Sequence, residues 1–236
     1  MKIIPAIDLI RGKAAHLISG KTGTERFMVD PFNSAERFQA KDIETMHIVD
    51  LDAAKGLGNN TEIIKQLIKS IKIKKQVGGG IRTLEKAREL ISLGADKLII
   101  GTKAVQDPNF ILELEKEIGK ERIIVSFDSN NRKIMMGEND ELTNLDPIDT
   151  AKRLQDHCGA FLLMCIDKEG TMQGLDIEYI KRFAEEVRTP VIASGGVGSL
   201  EDIKKLKESG VYAVVIGTAL YIGNFKLEEA VEVARQ

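Results

Sequence analysis

Residues 74–80 read Lys-Lys-Gln-Val-Gly-Gly-Gly, and residues 191–196 read Val-Ile-Ala-Ser-Gly-Gly. After each come a helical pattern and a second apolar run that ends in Gly-Thr: Leu98-Ile99-Ile100-Gly101-Thr102 in the first case, Val214-Val215-Ile216-Gly217-Thr218 in the second. Gly79 and Gly195 lie 116 residues apart, and so do Gly101 and Gly217. Between these marks Leu84-Glu85 matches Leu200-Glu201, Leu90 matches Leu206 and Gly94 matches Gly210. A strand–glycine loop–helix–strand–Gly-Thr unit written twice is an internal repeat, and a repeat outranks local propensity in deciding the fold.

Glycine after a strand lets backbone N–H groups approach a ligand with no Cβ in the way. Several such groups beside a helix start form an anion cradle, whose usual guest is phosphate. A plain tight turn from strand to helix would also account for one such glycine pair. The duplication, with Gly-Thr repeated at the next strand end, favours two cradles and therefore a substrate with a phosphate at each end.

Working outward, the chain alternates apolar runs with helical patterns. Residues 2–7 form a first strand ending on Asp8, and their near-continuous hydrophobicity suits a strand buried on both faces. Residues 12–30 show no period and read as a long loop. A helix starts at Asp30-Pro31, and a second strand covers residues 46–51. Thr61 reads as the cap of a helix whose Ile63, Ile64, Leu67, Ile68 and Ile71 recur at helical spacing. A strand over residues 74–77 precedes a helix opened by Thr83 and closed by Gly94. Lys97–Ile100 is the fourth strand, and a helix runs from Pro108 to Gly119. Residues 122–127 form the fifth strand, closing on Asp128, and residues 129–144 read as a hydrophilic hairpin. Pro147 opens the next helix. Strands then fall at residues 161–166, 191–194 and 213–216, separated by helices over about 177–187 and 200–209, with a last helix over about 227–235.

Eight strands alternating with eight helices predict the α/β class and a single (β/α)8 barrel. The barrel would span residues 1–236, with halves of about 1–120 and 121–236. An open doubly wound sheet is the alternative. The repeat argues against it, because duplicating a four-unit half closes a ring naturally.

Composition narrows the function. The chain has 236 residues, 43% of them hydrophobic, enough for one core of this size. A net charge of −2 leaves no general nucleic-acid footprint, and the absence of Trp argues against base-stacking platforms. Cys158 and Cys165 imply no disulfide framework, and the scattered His16, His47 and His157 imply no metal site. The first apolar run is too short for a signal peptide, and no stretch approaches membrane-spanning length. The expectation is a cytoplasmic monomer acting on a small molecule, with neither nucleic acid nor membrane as partner.

In this barrel, chemistry sits where the strands end and the βα loops begin. Those ends are Asp8, Asp50, Gly79, Gly101, Asp128, Asp167, Gly195 and Gly217. Aligning the halves sets Asp8 against Asp128 and Asp50 against Asp167. Strands one and five lie opposite each other, so Asp8 and Asp128 should face each other with the two cradles flanking them. Two carboxylates in unlike surroundings can divide the work of acid and base. Asp50 and Asp167 could equally well cap helices.

Four segments carry a family resemblance: Ile4-Pro5-Ala6-Ile7-Asp8-Leu9, His47-Ile48-Val49-Asp50-Leu51, Gln76-Val77-Gly78-Gly79-Gly80-Ile81-Arg82 and Ala193-Ser194-Gly195-Gly196-Val197. Together they resemble the histidine-biosynthesis isomerase family that acts on phosphoribosylformimino-aminoimidazole-carboxamide ribotide. The Ala-Ile-Asp-Leu opening resembles the isomerase more than its cyclase sister. The resemblance implies an Amadori rearrangement of an aminoaldose to an aminoketose, on a substrate phosphorylated at both ends. It implies Asp128 as the acid that opens the ribose ring and Asp8 as the base that takes the C2 proton. Gly79, Gly80, Gly101 and Thr102 would hold one phosphate, and Gly195, Gly196, Gly217 and Thr218 the other. Arg82 and Thr171 would contribute to substrate binding. No metal or organic cofactor is implied, because the imine serves as the electron sink.

Three positions depart from the family's pattern. Met164 stands where a Thr is usual, Glu138 follows Gly137 where a Trp is usual, and Glu169-Gly170-Thr171 replaces Asp-Gly-Thr. Two other readings therefore stand beside the first: a related phosphoribosyl isomerase of shifted or dual specificity, for instance on phosphoribosylanthranilate, and a non-catalytic phosphate-binding homologue.

Overall fold

The computed structural model describes residues 1–18, 21–137, 141–165 and 175–236, with the backbone alone at 16–18, 21–23 and 25–27. Its strands are β1 (Lys2–Ile10), β2 (Lys13–Ile18), β3 (Lys21–Val29), β4 (Thr45–Asp50), β5 (Lys74–Gly78), β6 (Lys97–Ile100), β7 (Ile123–Asn130), β8 (Lys133–Met136), β9 (Glu141–Leu142), β10 (Ala160–Cys165), β11 (Val191–Ser194) and β12 (Ala213–Ile216). Its helices are α1 (Pro31–Gln39), α2 (Leu51–Ala54), α3 (Thr61–Ser70), α4 (Leu84–Leu93), α5 (Thr102–Gln106), α6 (Pro108–Ile118), α7 (Pro147–Leu154), α8 (Ile177–Glu186), α9 (Leu200–Glu208), α10 (Thr218–Ile222) and α11 (Leu227–Arg235).

Eight of the strands pair in parallel as a closed ring, in the order β1-β4-β5-β6-β7-β10-β11-β12 and back to β1. This is the (β/α)8 barrel. β1 and β7 stand four places apart in either direction, on opposite sides of the mouth. Side chains alternate along each strand. One set packs inside the ring: Ile4 and Ala6 of β1, Ile99 of β6, Ile124 of β7, Ala160 and Leu162 of β10, Ile192 of β11, and Ala213 and Val215 of β12. The other set faces the helices in the larger apolar layer, where Phe127, Phe161 and Phe183 pack ring against ring. Because both faces are apolar, these strands show no alternation in sequence.

The repeat extends into the caps and the hairpins. Thr83 caps α4 by accepting from the Lys86 N–H, and Ser199 caps α9 by accepting from the Asp202 N–H. β1 runs past Asp8 into an antiparallel hairpin with β2, and β7 runs past Asp128 into one with β8. Their registers match, Leu9 with Ala14 and Ser129 with Ile134. Both turns use two residues of positive φ, Arg11 (47°) and Gly12 (76°), then Asn131 (48°) and Arg132 (60°). That conformation carries the strand twist through a two-residue loop.

Each hairpin tip is tied to the residue just before the long helix that follows the next barrel strand. The Gly12 N–H donates to Asn60 Oδ1 at 2.8 Å, just before α3, while the Arg132 guanidinium donates to both oxygens of Asp176, just before α8, at 2.8 and 3.2 Å.

Several expectations are corrected. Residues 12–30 are not a loop: they include the β2–β3 hairpin, concealed because Ala14 and Ala15 are both buried and so write no alternation. Thr61 is the first residue of α3 and not its cap. Asn60 holds the cap position, and its side chain is engaged elsewhere. The short helices α2, α5 and α10 are additional, each too brief to show a period. The register also changes the alignment of the halves. Leu9 pairs with Asp50 as Ser129 pairs with Cys165, so the counterpart of Asp50 is Cys165, not Asp167. Asp167 itself lies outside the described residues.

Candidate active site

Parity along the strands sorts the aspartates. Asp8 follows Ile4 and Ala6 on the inner face of β1, and Asp128 follows Ile124 and Ser126 on the inner face of β7. Asp50 has the parity of Met46 and Ile48, which face the helices. Its carboxylate is 3% exposed and accepts from the Ala53 N–H at 3.0 Å, the Asn60 N–H at 2.7 Å and Asn60 Nδ2 at 2.8 Å. Asp52 joins this network, accepting from Asn60 Nδ2 at 2.9 Å and from the Arg11 N–H at 2.6 Å.

Asp50 is therefore a cap and a brace for the first hairpin. Asp50→Ala strands buried donors and should lower stability by on the order of 3 kcal/mol, a melting-temperature drop of about 10 °C. A thermal melt within two degrees of the parent would remove Asp50 from this role.

A cavity of about 160 Å³ opens at the strand ends between β4 and β10. Asp128, Gly79, Gly80, Arg82, Gly101 and Thr102 all line it, with Met164 beside them. Asp128 and Met164 are register partners, and a thioether donates no hydrogen bond. Asp8 and the second group of glycines, Gly195, Gly196 and Gly217 with Thr218, sit at the ends of β1, β11 and β12 and do not line this cavity. Thr171 and Glu138 lie outside the described residues. Among the described residues, no cluster of three or more His, Cys, Asp or Glu side chains is arranged to hold a metal.

The glycines serve two purposes. Gly79 has φ +97°, and a Cβ there would lie 2.2 Å from the Asp50 carbonyl oxygen; Gly195 has φ +88°, and its Cβ would lie 2.5 Å from the Cys165 carbonyl oxygen. These two are demanded by close packing on the neighbouring strand. Gly101 has nothing within 4 Å of the Cβ position, so the space it leaves on the cavity wall is open to a ligand. Next to it, the Thr102 hydroxyl accepts from the Gly137 N–H at 3.3 Å, joining the start of α5 to the end of β8.

Sequence reasoning passed over a polar pair at this cavity, of which His47 lines the wall. His47 and Gln76 are inner-face register partners, each 1% exposed, with His47 Nδ1 and Gln76 Nε2 2.8 Å apart. His47 between Met46 and Ile48, and Gln76 just before Val77, were the signal. Lys55 and Lys103 add cationic groups to the rim, Lys103 also pairing with Asp107 at 2.8 Å. A thiol nucleophile is disfavoured at Cys158, which is buried and whose pKa that burial pushes up to about 12.

The model of the histidine biosynthesis protein family matches residues 2–226. The chain belongs to this family. It is 43% identical over 236 residues, all of both chains, to the 1-(5-phosphoribosyl)-5-((5-phosphoribosylamino)methylideneamino)imidazole-4-carboxamide isomerase of Methanocaldococcus jannaschii. It is 42% identical to the isomerase of that name from Methanosphaera stadtmanae, over 98% of this chain and 99% of the relative. With the Methanothermobacter thermautotrophicus isomerase it shares 40% identity over 98% of each. As a histidine biosynthesis family member with full-length isomerase relatives, the chain is an enzyme, and the barrel mouth is where its family's chemistry has to be sought. Among the described residues, no helix is long and apolar enough to cross a membrane.

Proposed function

We propose that this chain catalyses the Amadori rearrangement named in its relatives, converting the bis-phosphorylated aminoaldose to the aminoketose in histidine biosynthesis. One observation carries the reading: Asp8 and Asp128 occupy matched inner-face positions on strands four apart around the ring. Asp128 protonates the ribose ring oxygen, and the ring opens to a protonated imine. Asp8 takes the C2 proton, the electrons move into the imine, and the resulting enolamine gains a proton at C1 as its C2 hydroxyl loses one, giving the ketose. The imine is the electron sink, so no metal or organic cofactor enters the scheme.

Gly79, Gly80, Gly101 and Thr102, with Arg82 at the rim, hold one phosphate. Gly195, Gly196, Gly217 and Thr218 hold the other, with Thr171 contributing to substrate binding. The enzyme is proposed to work as a single barrel domain of two like halves, a cytoplasmic monomer acting on a small molecule alone. No specific observation favours a substrate shift toward phosphoribosylanthranilate or a non-catalytic role.

The test is turnover. The purified chain should convert the bis-phosphorylated aminoaldose with a kcat/KM above about 10,000 per molar per second, with far slower turnover of phosphoribosylanthranilate. It should also restore growth to a histidine auxotroph lacking this step. Binding without turnover would overturn the catalytic reading, and a reversed preference would overturn the substrate.

A further inference from the structure

β12 ceases to pair with β1 at the register of Ile216 with Pro5. One residue farther along β1, the Ala6 carbonyl accepts a hydrogen bond from the Tyr221 hydroxyl at 3.1 Å. Tyr221 lies on α10, the short helix that follows Gly217. Its ring stands edge-on to Phe38, with centroids 5.6 Å apart. Its hydroxyl oxygen also neighbours the Ser34 side chain, whose single O–H reaches either that oxygen or the Asp30 carbonyl at 3.1 Å. Burial pushes the phenol pKa up, and the nearby Asp8 charge pushes it the same way, so the O–H stays a donor. Ala6 and Asp8 are successive residues on the inner face of β1.

The repeat breaks at this contact. The residue 116 before Tyr221 is Val105, on α5. Valine has no hydroxyl to offer the strand that carries Asp128. The Tyr221 donor to β1 thus has no hydroxyl counterpart at the repeat-related position on α5.

We infer that Tyr221 is a positioning residue for Asp8: its hydroxyl pins β1 two residues before Asp8, through the Ala6 carbonyl, and so sets the place from which Asp8 takes the C2 proton. The inference rests on the reading of Asp8 as the base. Proton abstraction depends steeply on such placement, and a shift of about 1 Å can cost about a hundredfold in rate. The contact acts after substrate is bound, so it belongs in kcat and not in KM.

Tyr221→Phe keeps the ring against Phe38 and removes only the oxygen. The expected result is a kcat lower by about ten- to a hundredfold, a KM within about twofold of the parent, and a larger primary isotope effect with substrate deuterated at C2. A packing role alone would leave all three as in the parent, with any loss confined to thermal stability. A parental kcat, or a reduced kcat with an unchanged isotope effect, overturns the inference. Asp8→Asn measured alongside separates the two claims: normal turnover there removes the base itself, whereas an inactive Asp8→Asn beside a parental Tyr221→Phe removes only the positioning role.

Discussion

Asp128→Asn and Asp8→Asn each lower kcat by about 100- to 10,000-fold, while substrate binding changes little. The magnitude is that of deleting one positioned proton donor or acceptor. The substitution keeps side-chain size and removes only the ability to exchange a proton at that site. Both are on the inner face near the strand ends, whereas Asp50 faces the helices, and Asp128 lines the cavity. The two losses should differ in kind. Asp8→Asn blocks proton abstraction and should leave a ring-opened species that borohydride can trap. Asp128→Asn blocks ring opening and should leave none. Steady-state rates with a thermal melt as the folding control decide the matter, and a rate within threefold of the parent in either variant removes that residue from the mechanism.

Gly79→Ala and Gly195→Ala should each destabilise the barrel by about 2–5 kcal/mol, combining left-handed strain with overpacking. Both positions have positive φ, and both would set a Cβ against a backbone oxygen, at 2.2 Å and 2.5 Å. A backbone carbonyl at the end of a barrel strand cannot swing aside as a side chain can, so the strand tip must move. For a chain of this length each kilocalorie is worth roughly 2–4 °C in melting temperature. Drops of about 5–15 °C are therefore expected, measured by differential scanning calorimetry. The moved tips are those that precede the α2 turn and the segment after Cys165, so activity should fall with stability. A melting temperature unchanged at either position would mean that the close approach relaxes freely.

Much of this was legible before the structure. The 116-residue offset fixed the order of strands and helices, because it constrains two distant stretches by one pattern. Val191–Ser194, Ala213–Ile216, Lys97–Ile100 and Leu227–Arg235 stand where periodicity and glycine punctuation put them. The β2–β3 hairpin was hidden for a local reason. Ala14 and Ala15 are buried side by side, and its partner strand β1 is apolar on both faces, so period-2 alternation is absent. The His47–Gln76 pair and the Tyr221–Ala6 contact were invisible because each joins residues far apart in the chain, 29 in one case and 215 in the other.

By itself, the sequence determined a duplicated β/α ring and the family to which it belongs, along with the two candidate carboxylates. Those features are repeated or local, and a repeated local pattern survives without knowledge of who packs against whom. Only the tertiary structure decided that Asp50 braces a hairpin while Asp8 and Asp128 face inward, that Cys165 and not Asp167 is the mate of Asp50, and that the Tyr221 hydroxyl reaches β1 through the Ala6 carbonyl. The physical reason is that strands apolar on both faces carry no record of which side is inside. Only the pairing register around a closed ring supplies it.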